Sequence, residues 1–355
     1  MPALTDLDLP QISQCFAEWG HSPTHARRLV RAFYDNNGHA DLQQLELGKK
    51  LIARLGVEMP LRQSQIIRRH ASADGTAKLL IEFSGGGAVE SVLMPAYRAD
   101  RAAACVSSQI GCAMGCDFCA STRGGLSRNL TAGEIVEQFL HLRRLAAADG
   151  RRLTSLVFMG MGEPLANLPN VIAAIRRIAD PAMGALGWRQ ITVSTVGLVR
   201  QMDELAAADL NVHLALSLHA PDDATRSRLV PANRRWNVAA VMSAARRFAE
   251  QTGRIPTIEY CLLAGVNDSD AQAAALADLM RGFKAHVNLI PHNWIGRGLS
   301  GVEYHPPPRH RIDAFIAVLR QGGVIAHIRR QRGDDVSAAC GQLAPNASSD
   351  QPLCQ

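Results

Sequence analysis

The chain reads as an α/β protein. A parallel β/α sheet, open or rolled into a barrel of six or so strands, follows a small N-terminal helical module and a β-hairpin extension. Three observations predict this. Beyond residue 100, apolar strand-like runs alternate with segments long enough to hold a helix at most crossings. Before residue 60, apolar residues fall at helical spacing. Between about 64 and 100 they form short runs broken by glycine-rich turn signals. The composition, 47% hydrophobic and 20% charged over 355 residues, is that of a soluble globular protein and excludes a disordered or fibrous chain.

Residues 1–60 read as short helices. In "SPTHARRLVRAFYDN", Ala26, Leu29, Val30 and Phe33 recur on one face, and the arginines among them make this a candidate RNA-binding module. Residues 61–100 carry turn signals at Asp74-Gly75 and at "SGGG" (Ser84 to Gly87), which fit one or two hairpins. Residues 101–345 hold seven apolar runs: "ACVSSQ", "TSLVFMG", "QITVSTVG", "VHLALSLHA", "PTIEYCLLAG", "HVNLIPHN" and "GVIAHIRR". One crossing helix opens with a capping box, Thr131 and Glu134 in "LTAGEI", followed by Ile135, Val136, Phe139 and Leu140 on a single face. Residues 346–355 read as a flexible tail.

The N-terminus has acidic residues and no basic-then-apolar leader, and no apolar run approaches the roughly 18 residues of a membrane span. A cytoplasmic location without membrane attachment is expected, where thiols stay reduced and clustered cysteines point to metal or redox chemistry. A net charge of +6, with basic clusters such as "RQSQIIRRH", "RLVPANRRW" and "HIRRQRG", favours a polyanionic partner; any single cluster is as readily a solvated face.

Polar residues gather at or just past the C-terminal ends of the apolar runs: Gly162 and Glu163, Ser194, Ser217 and His219, Asn267, Asn293. In a parallel β/α architecture these ends share one mouth, where active sites form. The segment "CVSSQIGCAMGCDFC", holding four of the eight cysteines, follows the first run and belongs at the same mouth. Within it Cys112, Cys116 and Cys119 make a C-x3-C-x2-C pattern. Two readings compete: a tetrahedral zinc site completed by Cys105 or a distant histidine, or an iron-sulfur cluster on three thiolates with one iron left open for S-adenosylmethionine. Cys261, within an apolar run, reads as a small core residue.

"CAMGCDFC" has the spacing of the radical S-adenosylmethionine (radical SAM) superfamily, and "FMGMGEP" resembles its glycine-rich cofactor segment. Together with "CVSSQIGC", "GLSRNLTAGEI", "STVGLV", "LALSLHAPDD", "LVPANRRW", "GVND", "VNLIPHN" and "RGDDVSAACGQL", the chain resembles the RlmN/Cfr family of RNA adenine methyltransferases over about residues 70–345, and sits closer to the RlmN branch. "PHNWIGRG" stands where that branch usually shows Pro-Trp-Asn-Pro.

The resemblance implies a partial (β/α)6-type radical SAM barrel and a [4Fe-4S] cluster on Cys112, Cys116 and Cys119. It implies a cofactor site at Gly162, Glu163, Ser194, Ser217, Leu218, His219 and Asn293, with two S-adenosylmethionine molecules used per turnover. Cys340, in "AACGQL", would carry a methyl group, and Cys105 would resolve the protein-RNA adduct through a disulfide. Glu90, in "VESVLMP", would accept a proton; on its own it equally suits a solvated strand edge. The implied reaction is methylation of adenine, at carbon 2, in large-subunit ribosomal RNA and in transfer RNA, by a monomer supplied with electrons by a reductant such as flavodoxin. Two alternatives stand beside it: a divergent paralogue acting on carbon 8 or another RNA, and a non-catalytic zinc-bearing RNA-binding protein.

Overall fold

The computed structural model describes residues 1–329 and 332–344; the tail expected over 346–355 lies outside them. The N-terminal helices begin where side chains can satisfy their first N–H groups. Asp8 accepts the Gln11 N–H at 2.9 Å to start α1 (Leu9–Glu18), and Ser22, followed by Pro23, starts α2 (Pro23–Asp35). α2 buries Ala26, Leu29, Val30 and Phe33, the face its spacing marks. α3 (Lys49–Glu58) adds Leu51 and Leu55.

Three antiparallel strands follow: β1 (Ser64–Ala71), β2 (Ala77–Phe83) and β3 (Ala88–Pro95). Gly75 turns the first hairpin at φ +82°, and Gly86 and Gly87 turn the second at +87° and +83°, backbone that side-chain-bearing residues rarely adopt. β4 (Arg101–Cys105) then pairs antiparallel with β3 and parallel with β7 (Arg152–Phe158). The hairpin extension is thus continuous with the main sheet.

Between β4 and β7 lie a small antiparallel ribbon, β5 (Gln109–Gly111) with β6 (Leu126–Asn129), and α4 (Ala132–Ala148). The chain continues through α5 (Leu168–Ala179), β8 (Ile191–Thr195), α6 (Val199–Ala207), β9 (His213–Ser217), α7 (Asp223–Leu229), α8 (Val238–Thr252) and β10 (Thr257–Leu262). It ends with α9 (Asp270–Met280), β11 (His286–Pro291), α10 (Arg309–Gln321) and β12 (Ile325–Ile328). The sheet order is β1-β2-β3-β4-β7-β8-β9-β10-β11-β12. From β4 onward neighbours are parallel and sequential, each joined by a helical crossover, which is the winding of a barrel; β12 pairs with β11 and not with β4, so the barrel is partial. All seven apolar runs beyond residue 100 contain a strand, although the first strand begins earlier than its run and ends at Cys105, where the chain leaves the sheet for the cysteine loop.

The N-terminal module docks on α4. The capping box forms as its sequence predicts, with the Glu134 N–H donating to Thr131 Oγ1 at 3.1 Å and the Thr131 N–H to Glu134 Oε2 at 2.9 Å. Asp6 Oδ1 accepts the Gly133 N–H at 2.8 Å, and Thr5 Oγ1 donates to Glu137 at 2.8 Å. A Cβ on Gly133 would fall 2.5 Å from Asp6 Oδ1, so the close approach needs glycine. Among the described residues no helix is long and apolar enough to cross a membrane.

Candidate active site

The cysteine loop springs from the β5–β6 ribbon. Gly111 has φ +76°, and a Cβ there would lie 1.9 Å from the Gly125 carbonyl oxygen, so the loop closes at this spacing only with glycine. The Cys112 N–H donates to that same oxygen at 2.9 Å and the Asp117 N–H to the Leu229 carbonyl at 3.0 Å, fixing the loop against α7. Cys112, Cys116 and Cys119 line one cavity together with residues from the ends of β7, β8 and β9.

These thiols suit a cluster. Burial pushes each above its ordinary pKa, Cys112 to about 12, and at Cys116 the charges of Cys119 and Cys112 add to the rise. Three thiolates crowded this way persist only with cationic charge among them. Cys112, Cys116 and Cys119 face one cavity, and a cubic cluster takes up three thiolates at separate corners. The donor set therefore fits a [4Fe-4S] cluster.

Around this cavity the structure places the other expected residues. Gly162 adopts φ +96°, and a Cβ would meet Gln109 Cβ at 2.5 Å; a Cβ on Gly160 would meet Ser107 Oγ at 2.6 Å. Both glycines let the end of β7 lie against the chain leaving β4. The Glu163 carboxylate accepts the Leu165 and Val196 N–H groups at 3.0 and 2.9 Å, and burial pushes it up to about 7. Ser194 donates to the Phe158 carbonyl at 2.6 Å and, like Ser217, lines the cavity. His219 sits at φ +61°, its Nδ1 accepting the Cys261 N–H at 3.0 Å and its ring edge-on to Phe118 at 4.8 Å. Burial pushes it down to about 3, so the ring is neutral and Nε2 carries the proton. Leu218 is fully buried and is not among the residues that line the cavity; its carbonyl accepts Arg226 Nε at 3.0 Å.

A second cavity, of about 300 Å³, holds Cys105 at the end of β4, Cys340 and Asn293. Met159, Ile290, Arg329 and Cys340 line both cavities and form their common wall. Asn293 thus stands apart from the other expected cofactor residues: its Nδ2 donates to the Cys340 carbonyl at 3.0 Å. The Cys340 segment is fixed further by the Ala120 N–H to the Gly341 carbonyl at 2.7 Å and Ser121 Oγ to the Leu343 carbonyl at 2.6 Å. Burial pushes Cys105 up to about 12; the Cys340 charge adds to this and Arg329 opposes it. The implied Cys105–Cys340 disulfide is not part of this structure, in which every cysteine among the described residues is free.

Glu90 is buried on β3, not at a solvated edge. Its Oε1 pairs with Lys78 Nζ at 2.8 Å and its Oε2 accepts the Ala344 N–H at 2.9 Å, while Lys78 also reaches the Ser337 carbonyl at 3.2 Å. The pair clasps the Cys340 segment from both sides.

Several residues here escaped sequence reasoning. Cys261 lines the cysteine cavity, with its Sγ 3.8 Å from His292 Nδ1. Glu259 is buried and half-buried Arg329 stands with it on the cysteine cavity, while Lys78 is buried on β2. A charged residue inside an apolar run, as in "TIEYCL", was the available signal for Glu259; Lys78 and Arg329 gave none. Asn267, one of the run-end polar residues, is a brace: it accepts the Leu263 N–H and donates to the His219 and Cys261 carbonyls, each at 2.7 Å.

Residues 106–277 match the radical SAM superfamily. A relative from Opitutus terrae, named "Probable dual-specificity RNA methyltransferase RlmN 1", is 52% identical over 96% of this chain and 96% of its own length. A Rhodopirellula baltica relative, also named as an RlmN, is 41% identical over 97% of this chain and 91% of its own. The crystal structure of a radical SAM methyltransferase from Sphaerobacter thermophilus superposes with a TM-score of 0.92 at 43% identity, covering 97% of this chain and all of that one. A partial barrel with three converging thiols at its mouth, and likeness of this extent along the chain, lead to one conclusion: the protein belongs to the RlmN family of radical SAM RNA methyltransferases.

Proposed function

We propose that this enzyme methylates carbon 2 of adenine in large-subunit ribosomal RNA and in transfer RNA, using Cys340 as a methyl carrier. The observation that carries the reading is the common wall: Cys340 faces both the cavity of the three cluster thiols and the cavity of Cys105. The relatives' name, dual-specificity RNA methyltransferase, supports two RNA classes.

Cys112, Cys116 and Cys119 would hold the cluster, and Gly162, Glu163, Ser194, Ser217, Leu218 and His219 would hold the cofactor beside it. When bound, the cluster and S-adenosylmethionine supply the methyl group and the one-electron chemistry that an electron-poor ring carbon requires. Two cofactor molecules are used per turnover, with electrons from a donor such as flavodoxin. The chain does the rest. The Cys340 sulfur, freed of its proton, takes the methyl carbon, and Asn293 holds the Cys340 backbone in reach of both cavities. Glu90 takes up the proton that the base loses. The Cys105 sulfur, freed of its proton, then attacks the Cys340 sulfur. As the disulfide forms, the bond between that sulfur and the carbon passed to the base breaks, the carbon keeps the electron pair and takes up a proton to become the methyl group, and the disulfide is reopened by the external reductant.

The test is an anaerobic reaction with S-adenosylmethionine, reductant and either RNA, followed by digestion and mass spectrometry of the adenosines. 2-Methyladenosine is expected. 8-Methyladenosine would move the enzyme to the other branch, and cofactor cleavage without methylated adenosine would overturn the substrate assignment.

A further inference from the structure

The loop after β11 joins the cysteine segment to the methyl-carrier segment and presents Trp294, Leu299 and Val302 to solvent, of which Trp294 alone is aromatic. Asn293 and Ile295 are buried, whereas Trp294 between them is 53% exposed. The loop is tied to the reactive segment on either side of the ring: the Asn293 side chain donates to the Cys340 carbonyl at 3.0 Å, and Gln342 Nε2 donates to the Trp294 carbonyl at 3.1 Å. The indole is oriented as well, with Nε1–H donating to Glu303 Oε1 at 2.9 Å.

The rest of the loop is latched to the cysteine loop. Asp117, between Cys116 and Cys119, accepts the Ser300 N–H at 2.7 Å and the Ser300 and Tyr304 hydroxyls at 2.5 Å each. Arg123 donates to the Ile295 and Arg297 carbonyls. A Cβ on Gly298 would fall 2.3 Å from the Asp117 carbonyl oxygen, so the loop lies hard against its support. A hydrogen-bond-braced loop holds an outward aromatic in place beside Cys340 without covering it. Arg297 is exposed on the same loop, and Arg332 lines the Cys105–Cys340 cavity, which supplies positive charge for a phosphate backbone.

We infer that Trp294 is a stacking platform for an unpaired RNA base next to the methylated nucleotide. The inference rests on the RNA methyltransferase reading and adds a specificity residue to it. Single-stranded RNA is read by splaying bases onto aromatic faces, and a base must leave its stack before an enzyme can reach its ring carbons. A flanking base stacked on Trp294 would fix the target's register over Cys340.

The test compares Trp294→Ala and Trp294→Phe with the wild type in filter binding of deproteinised large-subunit ribosomal RNA and bulk transfer RNA, and in methylation. Trp294→Ala is expected to weaken RNA binding and raise the RNA KM about tenfold, the effect of one lost stack. Trp294→Phe should stay near wild type, and cofactor cleavage without RNA should be unchanged in both, which reports intact folding. RNA should also quench tryptophan emission more in the wild type than in Trp294→Phe. Wild-type RNA affinity in Trp294→Ala overturns the inference. Failure of the wild type to methylate either RNA instead withdraws the proposed substrates, and binding still decides the role of Trp294.

Discussion

Cys340 and Cys105 act at different stages of the proposed reaction, so their removal has different signatures. Cys340→Ala should abolish RNA methylation while cofactor cleavage continues. Cys105→Ala should leave enzyme covalently joined to RNA, visible as a slow band on a denaturing gel; absence of that band would remove the resolving role. Arg329 bears on the same pair. Its charge opposes the burial that raises the Cys105 thiol, so Arg329→Gln should leave less thiolate there and slow Cys105 alkylation at pH 8 severalfold, as read by peptide mass spectrometry. At this scale the meeting of Cys112, Cys116 and Cys119 at one cavity was legible because the three thiols sit within eight residues of chain. Arg329 was not, because no local pattern shows that it meets Cys340, its strongest partner, or Glu259 and Cys105, which lie far away in sequence; the barrel mouth brings them together.

Among the elements, β2 and β3 matter through one buried pair. Lys78 and Glu90 sit on adjacent strands, Lys78 opposite Val92 and Glu90 opposite Leu80, so the two side chains meet diagonally. Lys78→Met would leave the Glu90 carboxylate buried with only the Ala344 N–H, and should lower stability by about 3 kcal/mol in urea unfolding. It should also lower methylation through the loosened Cys340 segment. The helices were more legible than the strands' chemistry, because capping and spacing are local. Thr131, Glu134 and the α2 face follow directly from side-chain order along the chain. No local rule distinguishes a carboxylate buried opposite a lysine from one at a solvated strand edge, and Glu90 fitted both until the sheet register was known.

For the molecule as a whole, His141 should draw stability down in mild acid, against Glu163, whose carboxyl, pushed up to about 7, acts in the opposite sense over the same range. His141 on α4 is buried with Ser64, its Nε2 2.9 Å from the hydroxyl, and near Glu137, Arg144, Arg62 and His39. Burial first, and then Arg144, push its pKa from 6.5 down to about 3. The unfolded chain therefore binds this proton below about pH 6.5 while the folded one does not, so the stability is present above that pH and is lost as pH falls toward 3. Between pH 6.5 and 5 the His141 share of the change should be a loss of about 2 kcal/mol, at 1.36 kcal/mol per pH unit. His141→Gln should remove that share from the profile, measured by denaturant midpoints across that range. The cluster assignment is also a property of the assembled mouth. Anaerobically prepared protein should contain iron, and Cys112→Ala, Cys116→Ala or Cys119→Ala should lose it; full iron in such a variant, or zinc in its place, would end the assignment.

By itself the sequence determined the alternation of strands and helices, the capped α4, the three cluster thiols and the side of the sheet on which chemistry gathers. Each depends on neighbours within a few residues or on a period along the chain. Only the tertiary structure placed Cys105 and Cys340, which the resemblance expects to meet, at one cavity, and decided that Glu90 is held by Lys78 and reaches Ala344, that Asn293 grips the Cys340 segment, and that Trp294 faces outward beside it. Those are meetings of residues up to some two hundred and fifty positions apart in the sequence. Closing such a loop costs entropy that no local pattern encodes, and the packed sheet is what offsets it.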